Sequence, residues 1–244
     1  MKYNVEIFAL VYKSLDYLHF ITKQLKSDYC NANGWYVGVR LILNDATDEV
    51  KEEVKKLDIP YTIFENPDPS EYYINRVYRA YNHGIVTSKF DNICMVNSDN
   101  AFTRNWLDNL LRHHNGINIP SPFLVESGKR GLGMNHNKSI KINFGTSPKT
   151  YNAKAFEEYS DSIRINMTRP NGLYVALFEK QRLIDVGLYP EGNIYNTGVG
   201  KFGDRFIESG DMFLFRKLQS EFGMNHITVL NSIMYHIQEG EKDD

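Results

Sequence analysis

The pattern that most constrains the fold is an alternation of strand-like and helix-like segments, repeated four times between Val5 and Leu111. Val5 to Tyr12 is a continuous apolar run, and Leu15, Leu18, Ile21 and Leu25 then recur at helical spacing behind Ser14, a candidate N-cap. Val37 to Leu43 is the second strand, after which Thr47 and Glu49 open a charged helix that continues to Leu57. Tyr61 to Phe64 reads as the third strand and Glu71 to Val86 as a longer helix. Ile93 to Val96 is the fourth strand, and Asn105 is placed to cap a helix carrying Trp106, Leu107, Leu110 and Leu111. Such alternation predicts an α/β fold with a parallel sheet and right-handed crossovers.

Beyond Ile119 the periodicity loosens. Pro120 to Thr150 is rich in Gly, Pro, Asn and Ser and reads as a long loop or a pair of irregular strands near the site. A short helix is expected over Tyr151 to Tyr159, a buried strand over Leu173 to Phe178, and a helix over Lys180 to Val186 ended by Gly187. Asp211 to Phe222 should be helical, His226 to Leu230 and Ile233 to Ile237 two further strands, and Glu239 to Asp244 a frayed tail. No linker, low-complexity tract or repeat divides the 244 residues, so one domain is expected.

A formal net charge of -2 with interspersed signs gives no footprint for nucleic acid or an anionic membrane. The first apolar run is too short for a signal peptide and no stretch approaches the length of a membrane span, so a cytoplasmic location is expected. Cys30 and Cys94 lack the spacing of a metal or redox site; Cys94, inside a strand, reads as a buried structural thiol.

Candidate chemistry gathers at strand ends, the edge where open α/β sheets bind ligands. After the fourth strand come Asn97, Ser98 and Asp99. Asp99 can offer a carboxylate oxygen to Mg²⁺ or Mn²⁺, Asn97 can hydrogen-bond a sugar hydroxyl, and small Ser98 leaves room for a ligand. The same three residue types also make ordinary turns. After the second strand, Asp45 is placed either to contact a nucleoside or, with Thr47, to form a turn and cap the next helix. Tyr12 and Lys13 follow the first strand. His236, in the apolar stretch Tyr235 to Ile237, is either a metal ligand beside Asp99 or a satisfied histidine. Asp211, at a helix N-terminus where the dipole favours its ionised form, is a candidate general base or simply a cap; Glu208 and Asp204 are the fallback bases. No P-loop, GxGxxG after the first strand, GxSxG or HExxH is present, which disfavours P-loop ATPases, dinucleotide oxidoreductases and serine hydrolases.

Taken in order, these segments resemble the family 2 glycosyltransferases of the GT-A fold. VEIFALVY resembles that family's first strand, and LILNDATDE its strand ending in an Asp-rich turn. Asn82, His83, Gly84 and Ile85 resemble its asparagine-glycine helix motif, and Asn97 to Asp99 stand where the family has DxD. NGLYVALFEKQRLIDVGLYPEG resembles its acceptor-side strand and helix, ESGDMFLFRKL its Glu-Asp helix, and SIMYHIQEGE the histidine-bearing end of its catalytic domain.

The resemblance implies a Rossmann-like, mostly parallel central sheet flanked by helices, with a small antiparallel acceptor-side portion. It divides the domain into a nucleotide-binding half, 1–115, and an acceptor-side half, 116–244. It implies a nucleoside-diphosphate sugar donor, a glycan or other hydroxyl acceptor, and Mn²⁺ or Mg²⁺ bridging the phosphates. Asp99 and His236 would hold the cation, Tyr12, Asp45, Arg76, Asn97, Ser98 and Asp99 the donor, with Arg79 an alternative to Arg76. Asp211 or Glu208 would act as base in an inverting transfer. Two departures stand out: Asn97 replaces the first acid of DxD, and Glu208 and Asp211 are not adjacent. A sugar nucleotidyltransferase is the nearest enzyme rival, although its glycine-rich first loop is here VYKSLDY; a non-catalytic nucleotide-sugar or carbohydrate-binding protein is the other.

Overall fold

The computed structural model describes residues 3–68, 70–71, 73–128, 138–190, 195–196, 205–206 and 210–237. The first sheet has the order β3-β2-β1-β4-β9. In it β1 (Asn4–Val11), β2 (Tyr36–Asn44), β3 (Tyr61–Phe64) and β4 (Asn92–Asn97) run parallel, and β9 (Leu177–Glu179) is antiparallel to β4. Helices α1 (Leu15–Leu25), α2 (Asp48–Val54) and α3 (Tyr73–Thr87) make the crossovers. Ser14 and Thr47 cap the first two, accepting from the backbone N–H of Tyr17 and Val50.

Alternation along β1 sorts the core into two layers. Val5, Ile7, Ala9 and Val11 pack with Leu18 and Ile21 of α1, Val50 and Val54 of α2, and Trp106 and Leu107 of α4 (Trp106–Leu111). Phe8 and Leu10 point the other way, toward Tyr78, Tyr81 and Ile85 of α3, Leu183 of α6 (Lys180–Asp185), and Leu214 and Leu218 of α7 (Gly210–Phe222). Each fully buried large aliphatic side chain contributes roughly 1.5–3 kcal/mol, so this period-two run fixes the register of the sheet.

The second sheet has the order β5-β12-β6-β7, with β8 also paired to β12. Its strands are β5 (Asn100–Phe102), β6 (Asn118–Glu126), β7 (Ser139–Lys141), β8 (Thr168–Pro170) and the long β12 (Asn225–His236). β6 is parallel to β12 and β7, while β5 and β8 run antiparallel to β12. One face is covered by α5 (Ala153–Ile163) through Phe156, which joins Tyr17, Ala101, Val125 and Tyr235 in a third cluster. A separate antiparallel pair, β10 (Tyr195–Asn196) and β11 (Arg205–Phe206), precedes α7. The sheets trade strands: β5, early in the chain, belongs to the second, and β9, late in the chain, completes the first.

Several expectations are corrected. Where a small antiparallel portion was expected, the second sheet has five strands of mixed direction. Pro120 to Glu126 lies in the regular strand β6, because Leu124 N–H donates to Lys138 O and so turns the even-numbered nitrogens toward the β7 side. Pro120 and Pro122 fall where β7 does not reach, and their missing N–H costs nothing. His226–Leu230 and Ile233–Ile237 are one strand interrupted by a bulge: Val229 pairs with Pro122 and Ile233 with Phe123. The Leu173–Phe178 strand is confined to Leu177–Glu179. Asn105 precedes α4 in a left-handed conformation, φ 62°, with no side-chain cap bond. The Glu239–Asp244 tail lies outside the described residues.

Candidate active site

Parallel pairing brings the carboxyl ends of β2, β1 and β4 side by side, and with them Asp45, Tyr12 and the Asn97–Asp99 turn. With β1 between them, the Asp45 and Asp99 positions stand roughly two strand spacings, about 10 Å, apart.

Asp45 adopts φ 50°, and its N–H is held by Phe64 O at 3.0 Å. Its carboxylate accepts from the Asn66 N–H and Nδ2, both at 2.7 Å, and lies 3.3 Å from Arg76 Nη1. Asn66 Nδ2 also donates to Asn44 Oδ1 at 2.8 Å. Arg76 Nη1 is 3.4 Å from Tyr12 Oη, and Lys13 Nζ stands 4.5 Å from the centre of the Tyr12 ring. Tyr12, Asp45 and Arg76 are thus one connected group, and Asn66 is the member that the sequence reading missed. Arg79 is instead engaged by Glu71, with Nε 2.9 Å from Oε2 and Nη2 3.3 Å from Oε1.

At the end of β4, the Asn97 N–H donates to Asn100 Oδ1 at 2.9 Å, and its side-chain Oδ1 accepts from the Tyr81 hydroxyl. Asn100 Nδ2 donates to Tyr174 Oη at 2.8 Å. Ser98 and Asp99 are both buried. His236 lies at the end of β12, and pairing sets Asn100 on one side of it and Glu126 on the other. That register places His236 Nε2 3.3 Å from Asp99 Oδ2 and Nδ1 3.5 Å from Glu126 Oε1. The backbone locks the same corner, since Ile237 N–H donates to Asp99 O at 3.1 Å. Burial pushes the His236 imidazole toward neutrality; the charge and hydrogen bond of Asp99, reinforced by Glu126, outweigh it and hold the pKa up at about 9.

Asp211 sits in the first turn of α7, where Gly210 N–H donates to Tyr78 Oη at 2.9 Å. Burial raises the Tyr81 hydroxyl pKa, and the charges of Asp99 and Asp211 push it further in the same direction, so both carboxylates act on one phenol. Asp204 and Glu208 lie outside the described residues. Cys30 and Cys94 are both buried, as a structural role requires; burial pushes the Cys94 thiol up to about 12.

Among the described residues no group of three or more His, Cys, Asp or Glu forms a metal cage. A cation would have to displace the Nε2 proton that Asp99 holds in place, and with that proton gone Asp99 and His236 fit as a pair of ligands. Adjacent donors of an octahedral ion with bonds of about 2.1 Å stand roughly 3 Å apart, against the observed 3.3 Å. Glu126 beside Nδ1 is placed to hold the ring with Nε2 toward Asp99, the arrangement of a carboxylate supporting a ligating imidazole. No sequence motif marks Glu126, which the register of β6 and β12 brings to the site; Tyr174 reaches it through its bond to Asn100 and its ring contact with His236.

No protein-family profile and no curated protein matches the chain. Solved structures do. A structure of GalNAc-T7 with UDP, GalNAc and Mn²⁺ aligns over 96% of this chain and 44% of its own, at 13% identity and a TM-score of 0.59. The mannosyltransferase PcManGT of Pyrobaculum calidifontis, in complex with GDP-Man and Mn²⁺, aligns over 96% of this chain and 56% of its own, at 15% identity and a TM-score of 0.56. Staphylococcus aureus TarS aligns over 96% of this chain and 36% of its own, at 12% identity and a TM-score of 0.60. The chain therefore has the GT-A fold and spans about a third to just over half the length of these three chains. No helix among the described residues is long and apolar enough to cross a membrane.

Proposed function

We propose that this GT-A domain is a glycosyltransferase that moves a sugar from a nucleoside-diphosphate sugar to the hydroxyl of a glycan or other acceptor, using Mn²⁺ or Mg²⁺. The observation that carries the reading is the Asp99–His236 pair, 3.3 Å apart, which joins the turn after β4 to the end of β12. Asp99 and His236 hold the cation; Tyr12, Asp45 and Arg76 hold the nucleoside, and Asn97 and Ser98 line the path between. That UDP and GDP-Man accompany Mn²⁺ in two structural neighbours supports this donor class.

Held by Asp99 and His236, a divalent cation would supply positive charge to offset that of the departing diphosphate. Asp211 takes the proton of the acceptor hydroxyl as that oxygen bonds to the anomeric carbon. The bond from that carbon to the diphosphate oxygen breaks, and the nucleoside diphosphate leaves with the electron pair. A single displacement inverts the anomeric configuration. Asp211 stands in the first turn of α7, where the helix dipole favours a carboxylate, which supports it as base; Glu208 is the alternative.

Transfer and donor hydrolysis are to be assayed with UDP-, GDP- and dTDP-sugars, with Mn²⁺ and with chelator. Asp99→Ala should abolish turnover and the metal-dependent part of donor binding, and undiminished turnover by that variant removes Asp99 from the chemistry. NMR of the product tests the base: retained configuration rejects single displacement assisted by Asp211. The uncharged Asn97 favours a second reading, a nucleotide-sugar-binding protein without turnover, and nucleotide binding with neither transfer nor hydrolysis in the same assays would select it.

A further inference from the structure

We propose that Tyr81 is a positioning residue that turns Asn97 into a hydrogen-bond donor toward the nucleotide, so that this position recognises an acceptor oxygen of the ligand. The inference rests on the proposed binding of a nucleoside diphosphate and assigns a role to the uncharged first position of the Asn97–Asp99 turn.

Three observations converge on it. The Tyr81 hydroxyl donates to Asn97 Oδ1, which occupies one lone pair of that oxygen and fixes the amide with Nδ2 turned away from the phenol. The main chain of Asn97 is fixed independently by its N–H bond to Asn100 Oδ1, so the side chain has little freedom to turn away. Asn97 Nδ2 has no hydrogen-bond partner among the described residues and is not among their buried, unsatisfied atoms, while Asn97 itself is only partly buried. An amide so held presents N–H groups, and what N–H groups meet is a ribose hydroxyl oxygen or a phosphoryl oxygen.

The aim of Tyr81 is itself built in. Its ring lies between Phe8, 6.3 Å away, and Tyr189, 5.6 Å away. The next residue, Asn82, clamps the Tyr189 backbone from both sides: its Nδ2 donates to Tyr189 O at 3.0 Å and its Oδ1 accepts from Tyr189 N at 2.9 Å. Burial and the charges of Asp99 and Asp211 keep the phenol protonated, as a donor must be. An aspartate at position 97 would still accept from Tyr81 but would turn its second oxygen, an acceptor, toward the ligand.

The test is a double-mutant cycle on wild type, Tyr81→Phe, Asn97→Ala and the double variant, titrated calorimetrically with UDP and GDP in the presence of Mn²⁺. Phenylalanine keeps the ring packing, and an unchanged melting temperature checks the fold. Tyr81→Phe should weaken nucleotide binding by roughly tenfold, the scale of one directed hydrogen bond. In the Asn97→Ala background it should weaken binding no further, since Tyr81 acts only through Asn97. Equal losses in both backgrounds, or wild-type affinity of Tyr81→Phe, overturn the inference alone. A wild-type protein that binds neither of these nucleotides, nor dTDP, overturns the proposed donor class together with it.

Discussion

Gly84 has no room for a side chain: a Cβ there would stand 2.6 Å from Phe8 Cε2 and 2.7 Å from Ile42 Cδ1. Gly84→Ala should therefore destabilise the protein by roughly 1–3 kcal/mol through overpacking, read as a lower denaturant midpoint. Asn82 is equally structural, through its two bonds to Tyr189. The asparagine-glycine pair seen in the sequence thus shapes the floor under the site. Glu126 is the reverse case, a functional candidate that nothing in the sequence distinguishes. Glu126→Ala should weaken Mn²⁺ uptake in the presence of nucleoside diphosphate about 10- to 100-fold, followed by the EPR signal of free Mn²⁺. Glu126→Gln keeps an acceptor for His236 Nδ1 and should retain most of the affinity; undiminished uptake by the alanine variant would free the imidazole from dependence on its neighbour.

At the level of elements, β12 carries most of the second sheet, and its bulge decides where His236 points. Three extra residues between Val229 and Ile233 are an odd number, so the side chains beyond them change face relative to β6. The bulge is pinned to the α4 region: Asn109 Nδ2 donates to Asn231 O at 2.6 Å, Ser232 Oγ to Trp106 O at 2.8 Å, and Thr103 Oγ1 to Ile233 O at 2.7 Å. At the other end of the strand, His226 stacks on Phe215 at 3.7 Å and bonds Ser121 Oγ at 2.7 Å. Burial, aided by Lys138, pulls its pKa down to about 3. The folded state thus keeps it neutral while the unfolded chain protonates it below about 6.5. Its contribution is complete above that pH and is lost as pH falls toward 3. Urea denaturation at a series of pH values should give a shallower slope over this window for His226→Gln than for wild type; superimposable slopes would count against the assignment.

Across the whole molecule, ligands that bind only the folded state should raise its melting temperature. With Mn²⁺ and nucleoside diphosphate at about 100 times their dissociation constant the gain is about 2.7 kcal/mol, or roughly 5–10 °C for a chain of this size. EDTA should remove the metal-dependent part, and Asp99→Ala should not have it. The first sheet was legible in the sequence because each of its parallel strands is a short apolar run between capped helices, as Ser14 and Thr47 attest. The carboxyl-edge residues followed from that order. Less of the second sheet was legible, because β12 pairs with β5 and β6 across more than a hundred positions, as His236 does with Glu126, and local pattern carries no record of such partners. Two prolines hid β6, and the bulge split β12 in two. The strands exchanged between the sheets bear on any attempt to divide the chain after residue 115. The leading fragment would keep β5 with no neighbour to lie against, the trailing one would keep β9 in the same plight, and the carboxylate and imidazole of the proposed cation pair would part company. Co-expressed, the two pieces should recover nucleotide-dependent Mn²⁺ binding only by docking into each other, which makes a severed version of this protein a reporter of its own reassembly.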